Sequence, residues 1–135
     1  MYNHIVIPVS FEEGRDVQRA VEVAQKLSSE NARISFIHIT ESIPNYVADF
    51  IPPDAWMSRK EEAKKRINEI AQGVENAETV IVDGISGRTI TDWARDKGAD
   101  LIVIASHRPT MSDIFLGSTA AWVVRHADCP VHVIR

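Results

Sequence analysis

Gly117-Ser118-Thr119 is the tripeptide whose chemistry is easiest to name. It opens the run Ser118–His126, where Ala120, Val123 and Val124, continued by Ala127, fall at helical spacing. The first N–H groups of a helix have no intrahelical partner, and the helix dipole adds partial positive charge, so such a start suits an anion. Gly117 lets the backbone approach a phosphate closely, and the hydroxyls of Ser118 and Thr119 can donate to it. The same residues also make an ordinary helix start, with Ser118 as a side-chain N-cap. The tripeptide alone leaves both readings open.

Other chemistry has thinner support. There is no G-x-x-x-x-G-K-S/T phosphate loop and no G-x-G-x-x-G fingerprint. Gly84-Ile85-Ser86-Gly87 falls one residue short of G-x-S-x-G, so it makes no nucleophile elbow. Ser118, His107 and Asp113 could be drawn as a triad, but so could any three such residues near a loop. No two of the five histidines sit at metal-ligand spacing on a predicted helix, and His38, within a predicted strand, reads as a satisfied core or sheet-end residue. A single cysteine, Cys129, excludes an internal disulfide framework and a cysteine-based zinc site. No catalytic and no metal-ligating residue is assigned.

The elements that must position this chemistry alternate along the chain. Residues 4–9, 33–40, 79–83, 100–105 and Val131–Ile134 are short, β-branched and apolar, and read as strands. Between them lie helical stripes. Residues 15–28 carry Val17, Ala20, Val21, Ala24 and Leu27, and residues 56–74 carry Ala63, Ile67, Ile70, Ala71 and Val74. Ile90, Trp93 and Ala94 mark a third helix ending near Gly98, and Ser118–His126 is the fourth. Residues 41–54, with three prolines and the aromatics Tyr46 and Phe50, read as a loop, and these two aromatics with Trp56 form a lid over the site or cover the sheet's apolar edge.

Strands apolar on both faces and separated by helices imply an α/β fold, with an open five-stranded parallel sheet covered by helices on both faces. Right-handed crossovers follow, and ligands belong beyond the carboxyl ends of the strands. The loops to inspect are 10–14, 41–54, 84–88 and 106–117.

The chain has 135 residues, enough for one domain spanning 1–135. Its 15 basic and 19 acidic residues give a net charge of -4, and no basic stripe favours nucleic acid. Arg59, Lys60, Lys64, Lys65 and Arg66 are interrupted by Glu61 and Glu62, the pattern of a solvated helix face. No leader-like start and no apolar run of about 18 residues is present, so the expectation is a cytoplasmic protein away from membranes.

Longer strings carry a resemblance. Residues 104–135, IASHRPTMSDIFLGSTAAWVVRHADCPVHVIR, resemble the C-terminal signature of the universal stress protein family: G-x-x-G, a spacer, then glycine followed by Ser or Thr. HIVIPVSFEEGRDVQRAVEVA resembles the family's opening strand and helix, and VDGISGRTITDWARDKGADLIVIA its middle. IASHRP is similar to the F/G-type bacterial subgroup. The likeness covers essentially the whole chain, with residues 41–54 the least typical.

The resemblance implies a Rossmann-like sheet, of the adenine nucleotide alpha hydrolase-like type, with strand order 3-2-1-4-5. It also implies binding of ATP, with or without Mg²⁺. On this chain Pro8, Val9, Ser10 and the backbone near Ile39 would line the adenine and ribose. Ala105, Ser106, His107, Arg108, Gly117, Ser118 and Thr119 would surround the phosphates, and Gly84 would border the ribose-phosphate side. Ala105 and Arg108 stand where the family has its first two glycines, Ser10 where it has an acid, and Ser86 where it has a proline.

An arginine at 108 substitutes a planar fork of donors for close backbone approach, and Pro109 holds it extended. The resemblance further implies a homodimer through antiparallel pairing of Val131–Ile134. Two functions follow: a stress-response module acting through nucleotide-dependent conformation or partner contacts, or a dimeric interaction protein that has lost nucleotide affinity. With no Walker lysine, and with Asp113 the only acid near the expected phosphates, an enzyme is not assigned; slow ATP hydrolysis or autophosphorylation stays open.

Overall fold

In the computed structural model, which describes residues 1–11, 17–41, 45–106 and 116–135, strands and helices alternate as the periodicities require. The order is β1 (Tyr2–Pro8), α1 (Val17–Leu27), β2 (Ser28–Thr40), α2 (Asn45–Ala48), α3 (Pro53–Ala71), β3 (Ala77–Asp83), α4 (Ser86–Asp96), β4 (Leu101–Ala105), α5 (Ser118–His126) and β5 (Val131–Ile134). The five strands form one parallel sheet in the order β3-β2-β1-β4-β5, as the sequence resemblance implied. Strand order reverses at β1, which pairs with β2 on one side and β4 on the other.

Alternation of side chains sends two sets of residues to opposite faces. Ile5, Ile7, Ile34, Phe36, Leu101 and Val103 meet Ala20, Val21 and Ala24 of α1 and Ile67 of α3. Val6, Ile37, Ile102 and Ile104 meet Ile90 and Ala94 of α4 and Ala120 and Val123 of α5. Each fully buried aliphatic or aromatic side chain contributes about 1.5–3 kcal/mol. None of the helices among the described residues is long and apolar enough to cross a membrane.

Several element ends differ from the sequence expectation. β2 begins at Ser28, five positions before residue 33 and on a residue that the sequence reading gave to the preceding helix. It joins the sheet through a register shift, Tyr2 opposite Ser28 but His4 opposite Arg33, and Asn31 takes the left-handed conformation (φ 64°) inside it. Asp100, expected in β4, instead lies before it and accepts from the Asn3 and His4 amides at 2.9 Å each. Residues 41–54 contain α2 and the start of α3, which begins with Pro53 at a first-turn position where a missing N–H costs nothing. α4 ends at Asp96, and just beyond it Gly98 (φ 72°) turns the chain, its N–H bonding the Arg95 carbonyl while Ala99 bonds that of Ala94.

A polar row crosses three strands at the amino end of the sheet. Ser35 Oγ donates to Glu78 Oε1 at 2.5 Å, so its oxygen accepts from His4 Nε2–H at 2.7 Å. His4 is buried against the edge of the Trp93 ring. Burial, aided by nearby Arg33, holds the His4 pKa below its ordinary value, against the opposing pull of the Lys97 backbone, Glu78 and Asp100. The folded state therefore prefers neutral His4, whereas the unfolded chain takes up a proton near pH 6.5. Stability from this residue is fully present above pH 6.5 and falls as pH drops from there towards the lowered folded value. Urea unfolding at pH 7.0 and 5.5 should show a larger loss of midpoint in the native sequence than in His4→Gln; equal losses would contradict this assignment.

Candidate functional site

The carboxyl ends of β1 and β4 meet at the reversal of strand order, where open α/β sheets take ligands. β1 closes at Pro8, and Val9 is still held to the sheet by its N–H to the Ile37 carbonyl, 2.8 Å. The Val9 carbonyl accepts from His38 Nδ1 at 2.8 Å, which fixes that ring nitrogen as the protonated one. His38 is thus a satisfied residue at the sheet end, as the sequence suggested. Pro8, Val9 and Ser10 form a braced rim rather than a free loop.

On the β4 side, Ser106 is buried and its N–H bonds the Ile134 carbonyl at 2.8 Å. Its own carbonyl accepts from Gly117 N–H at 2.7 Å, which seats the start of α5 against the end of β4. Ala105, Ser106 and Gly117 are therefore neighbours, with Ser118 and Thr119 following in the first turn of α5. Gly117 is the N-cap residue, in extended conformation (φ -61°, ψ 157°), and no side chain caps the helix. The reading of Ser118 as a side-chain N-cap is corrected: it is the first helical residue, and α5 opens on bare backbone. His107 and Arg108, together with Pro109 and Asp113, lie outside the described residues.

Gly84 stands apart, at the end of β3, two strand spacings or about 10 Å from β1. Its N–H bonds the Thr40 carbonyl at 3.0 Å, and an added Cβ would lie 2.2 Å from Thr89 Oγ1. Close packing of α4 explains this glycine without any ligand. Ile39 is half-buried at the end of β2, between the β1 rim and a second feature that the sequence reading missed.

That feature is a cleft of about 630 Å³ over the carboxyl ends of β2 and β3. His38, Thr40 and Asp83 rise from the strands, Trp56, Arg59, Lys60 and Ala63 descend from α3, and Phe11 and Ala48 close the sides. Phe11 stacks on His38 (4.3 Å between ring centres), and the Arg66 guanidinium lies 4.3 Å over the Phe11 ring. The signal available in the sequence was a change of character along one helix stripe, from Ile67 and Ala63 to Lys60, Arg59 and Trp56. Tyr46 and Phe50 are exposed and do not cover the sheet's apolar edge; Trp56 faces the cleft. Among the described residues no cluster of His, Cys, Asp and Glu is arranged to hold a metal.

A five-stranded parallel sheet with its order reversing at β1, and a helix start docked at that reversal, defines a doubly wound α/β domain built around its carboxyl edge. The chain belongs to the universal stress protein family, whose sequence model matches residues 1–135. It is 31% identical to universal stress protein A homolog 2 of Coxiella burnetii, over 99% of this chain and 95% of that one. It is 28% identical to universal stress protein G of Shigella flexneri over the full length of both. Among solved structures, the universal stress protein UspA of Lactobacillus plantarum superposes with a TM-score of 0.71 at 27% identity, covering 99% and 98% of the two chains. A universal stress protein of Archaeoglobus fulgidus, determined in complex with dAMP, superposes with a TM-score of 0.66 at 21% identity, covering 99% and 98%.

The cleft carries one perturbed group. Thr40 Oγ1 donates to Asp83 Oδ1, and Lys60 Nζ lies 3.4 Å from Asp83 Oδ2. The Thr40 hydroxyl is the largest single cause holding the Asp83 carboxyl below its ordinary pKa, and the Lys60 ammonium adds to it through its hydrogen bond and its charge. Because Asp83 is exposed, this clamp orients side chains more than it stabilises the fold. Carbon-detected NMR titration of Thr40→Val should show the Asp83 carboxyl moving up towards the ordinary carboxylate value, and Lys60→Met should move it the same way. An Asp83 carboxyl unmoved in Thr40→Val would remove the Thr40 hydroxyl as its partner.

Proposed function

We propose that the chain binds ATP, with or without Mg²⁺, across the carboxyl ends of β1 and β4, and acts in a stress response through nucleotide-dependent conformation or partner contacts. The supporting observation is the seating of α5: the 2.7 Å bond from Gly117 N–H to the Ser106 carbonyl sets a helix start without a side-chain cap at the strand-order reversal. Such a start offers N–H groups and positive dipole to a phosphate. On this reading Pro8, Val9, Ser10 and Ile39 line the nucleoside. Ala105, Ser106, His107, Arg108, Gly117, Ser118 and Thr119 surround the phosphates, and Gly84 borders the ribose-phosphate side. Relatives of the same fold add support, since family structures have been determined with cAMP, with dAMP and with AMP. The setting is a reducing cytoplasm, in which Cys129 stays a thiol.

Arg108 supplies the charge that glycine at this position would not. Loss of one charge-assisted bond costs about 1.5–3 kcal/mol, roughly ten- to a hundredfold in affinity. Calorimetry should show affinity falling from ATP to ADP to AMP, and Arg108→Ala should weaken ATP by that factor while sparing AMP. Equal affinity for ATP and AMP would remove Arg108 from recognition and leave the nucleoside to carry it.

The second reading, an interaction protein without nucleotide affinity, draws on the uncharged Ser10 and on the open edge at β5. Ile102 N–H bonds the Pro130 carbonyl and Ser106 N–H that of Ile134, so the even-numbered residues of this segment face β4. Val131 and Val133 turn their backbone groups outward, and an unpaired edge of this kind is a template for a second strand. Both readings use a homodimer in which two β5 strands pair antiparallel. Exposed Trp122 and Val124 lie on α5, with Trp122 packed over Gly87 and stacked on His126 at 3.8 Å. Sedimentation should find a dimer at micromolar protein and a monomer for Val133→Pro, which removes an outward N–H at an edge where proline is tolerated. A dimer that survives Val133→Pro uses another surface. No nucleotide binding at millimolar concentration, with the dimer intact, would select the second reading.

A further inference from the structure

The first two turns of α3 present aromatic and charged side chains where the rest of the helix presents aliphatic ones. Trp56, Arg59, Lys60 and Ala63 follow at spacings of three and four, in line with buried Ile67. A helix serving only to cover the sheet would carry aliphatic residues at 59 and 60. Here it stands off instead, and the cleft of about 630 Å³ remains, within the roughly 300–1,000 Å³ of small-molecule sites.

Its lining sets Glu41, Glu62 and Asp83 against Arg59, Lys60 and Arg66, and these groups are engaged to different degrees. Asp83 is held by Thr40 and Lys60, and Glu41 accepts from Ser86 Oγ at 3.0 Å. Arg66 lies over Phe11. Arg59 has no ion-pair partner among the described residues, and Glu62, which also lines the cleft, does not pair with it. Half-buried Trp56 and the His38–Phe11 stack give the walls an aromatic character.

We propose that this cleft is a second small-molecule site, for a flat aromatic anion such as an aryl carboxylate or aryl phosphate. The ring lies against Trp56 and the His38–Phe11 stack, where aromatic faces and edges attract one another. The anionic group reaches Arg59, whose planar fork matches a carboxylate or phosphate. Of the described residues assigned to the nucleotide above, only Ile39 lines this cleft. The inference therefore stands or falls apart from that reading.

The test is titration of the full chain with indole-3-carboxylate and phenyl phosphate, followed by ¹H–¹⁵N NMR and Trp fluorescence, with uncharged indole as the control. Binding is expected at cleft residues, weaker by about tenfold or more in Arg59→Gln and unchanged in Arg95→Gln on the opposite face. Trp56→Ala should weaken it by about two- to tenfold, while Trp56→Phe, which keeps a ring, should retain it. Saturation with ATP should leave it in place. Absence of shifts in the cleft at millimolar ligand would overturn the proposal, as would affinity indifferent to Arg59→Gln. Displacement by ATP would also overturn it, by making the cleft part of the nucleotide site. If the aryl anions bind but ATP does not, the cleft is upheld and the nucleotide reading fails.

Discussion

β1 is hydrogen-bonded on both sides and shut off from solvent on both faces along residues 4–7. A strand so enclosed can offer chemistry only where it ends, because a polar group within it would have to be matched inside the core. His4 shows what such matching requires: a serine, a glutamate and a tuned protonation state gathered at one residue. Everything else able to meet a ligand is displaced to the carboxyl edge. The braced Pro8–Val9–Ser10 rim, the docked start of α5 and the cleft beneath α3 are three outcomes of that displacement.

The fold was largely legible because parallel strands need apolar residues on both faces and their helices need one apolar stripe. Both periods are written plainly in residues 4–9, 100–105 and 15–28. What escaped were places where polar residues do structural work through the backbone. SSENA lacks the apolar pattern of a strand yet extends β2, since Asn31 tolerates a left-handed conformation and lets the strand re-enter register. Pro53 looks like a breaker yet begins α3, because the first turn has no use for its N–H.

The site was legible in type and less so in detail. Gly117-Ser118-Thr119 announced a helix start, but which residue capped it depended on a bond to Ser106, formed across eleven positions of chain. Gly84 illustrates the opposite limit. Its identity suggested a ligand approach, whereas Thr89 already fills the space a side chain would need. The cleft was hidden for another reason: Arg59 and Lys60 read as part of a solvated charge run, and only the angular position of Trp56 and Ala63 shows that they turn inward.

The bond between Ser106 and Gly117 has an evolutionary side. It ties the end of β4 directly to the start of α5, through contacts that belong to the sheet and the helix. Connections between ends pinned in this way can be lengthened, shortened or exchanged while the core keeps its register, since connecting segments in general tolerate change better than the elements they join. Selection can then act on such a connection as on a replaceable cartridge. Descendants of one scaffold could diverge in what they recognise without first having to relearn how to fold.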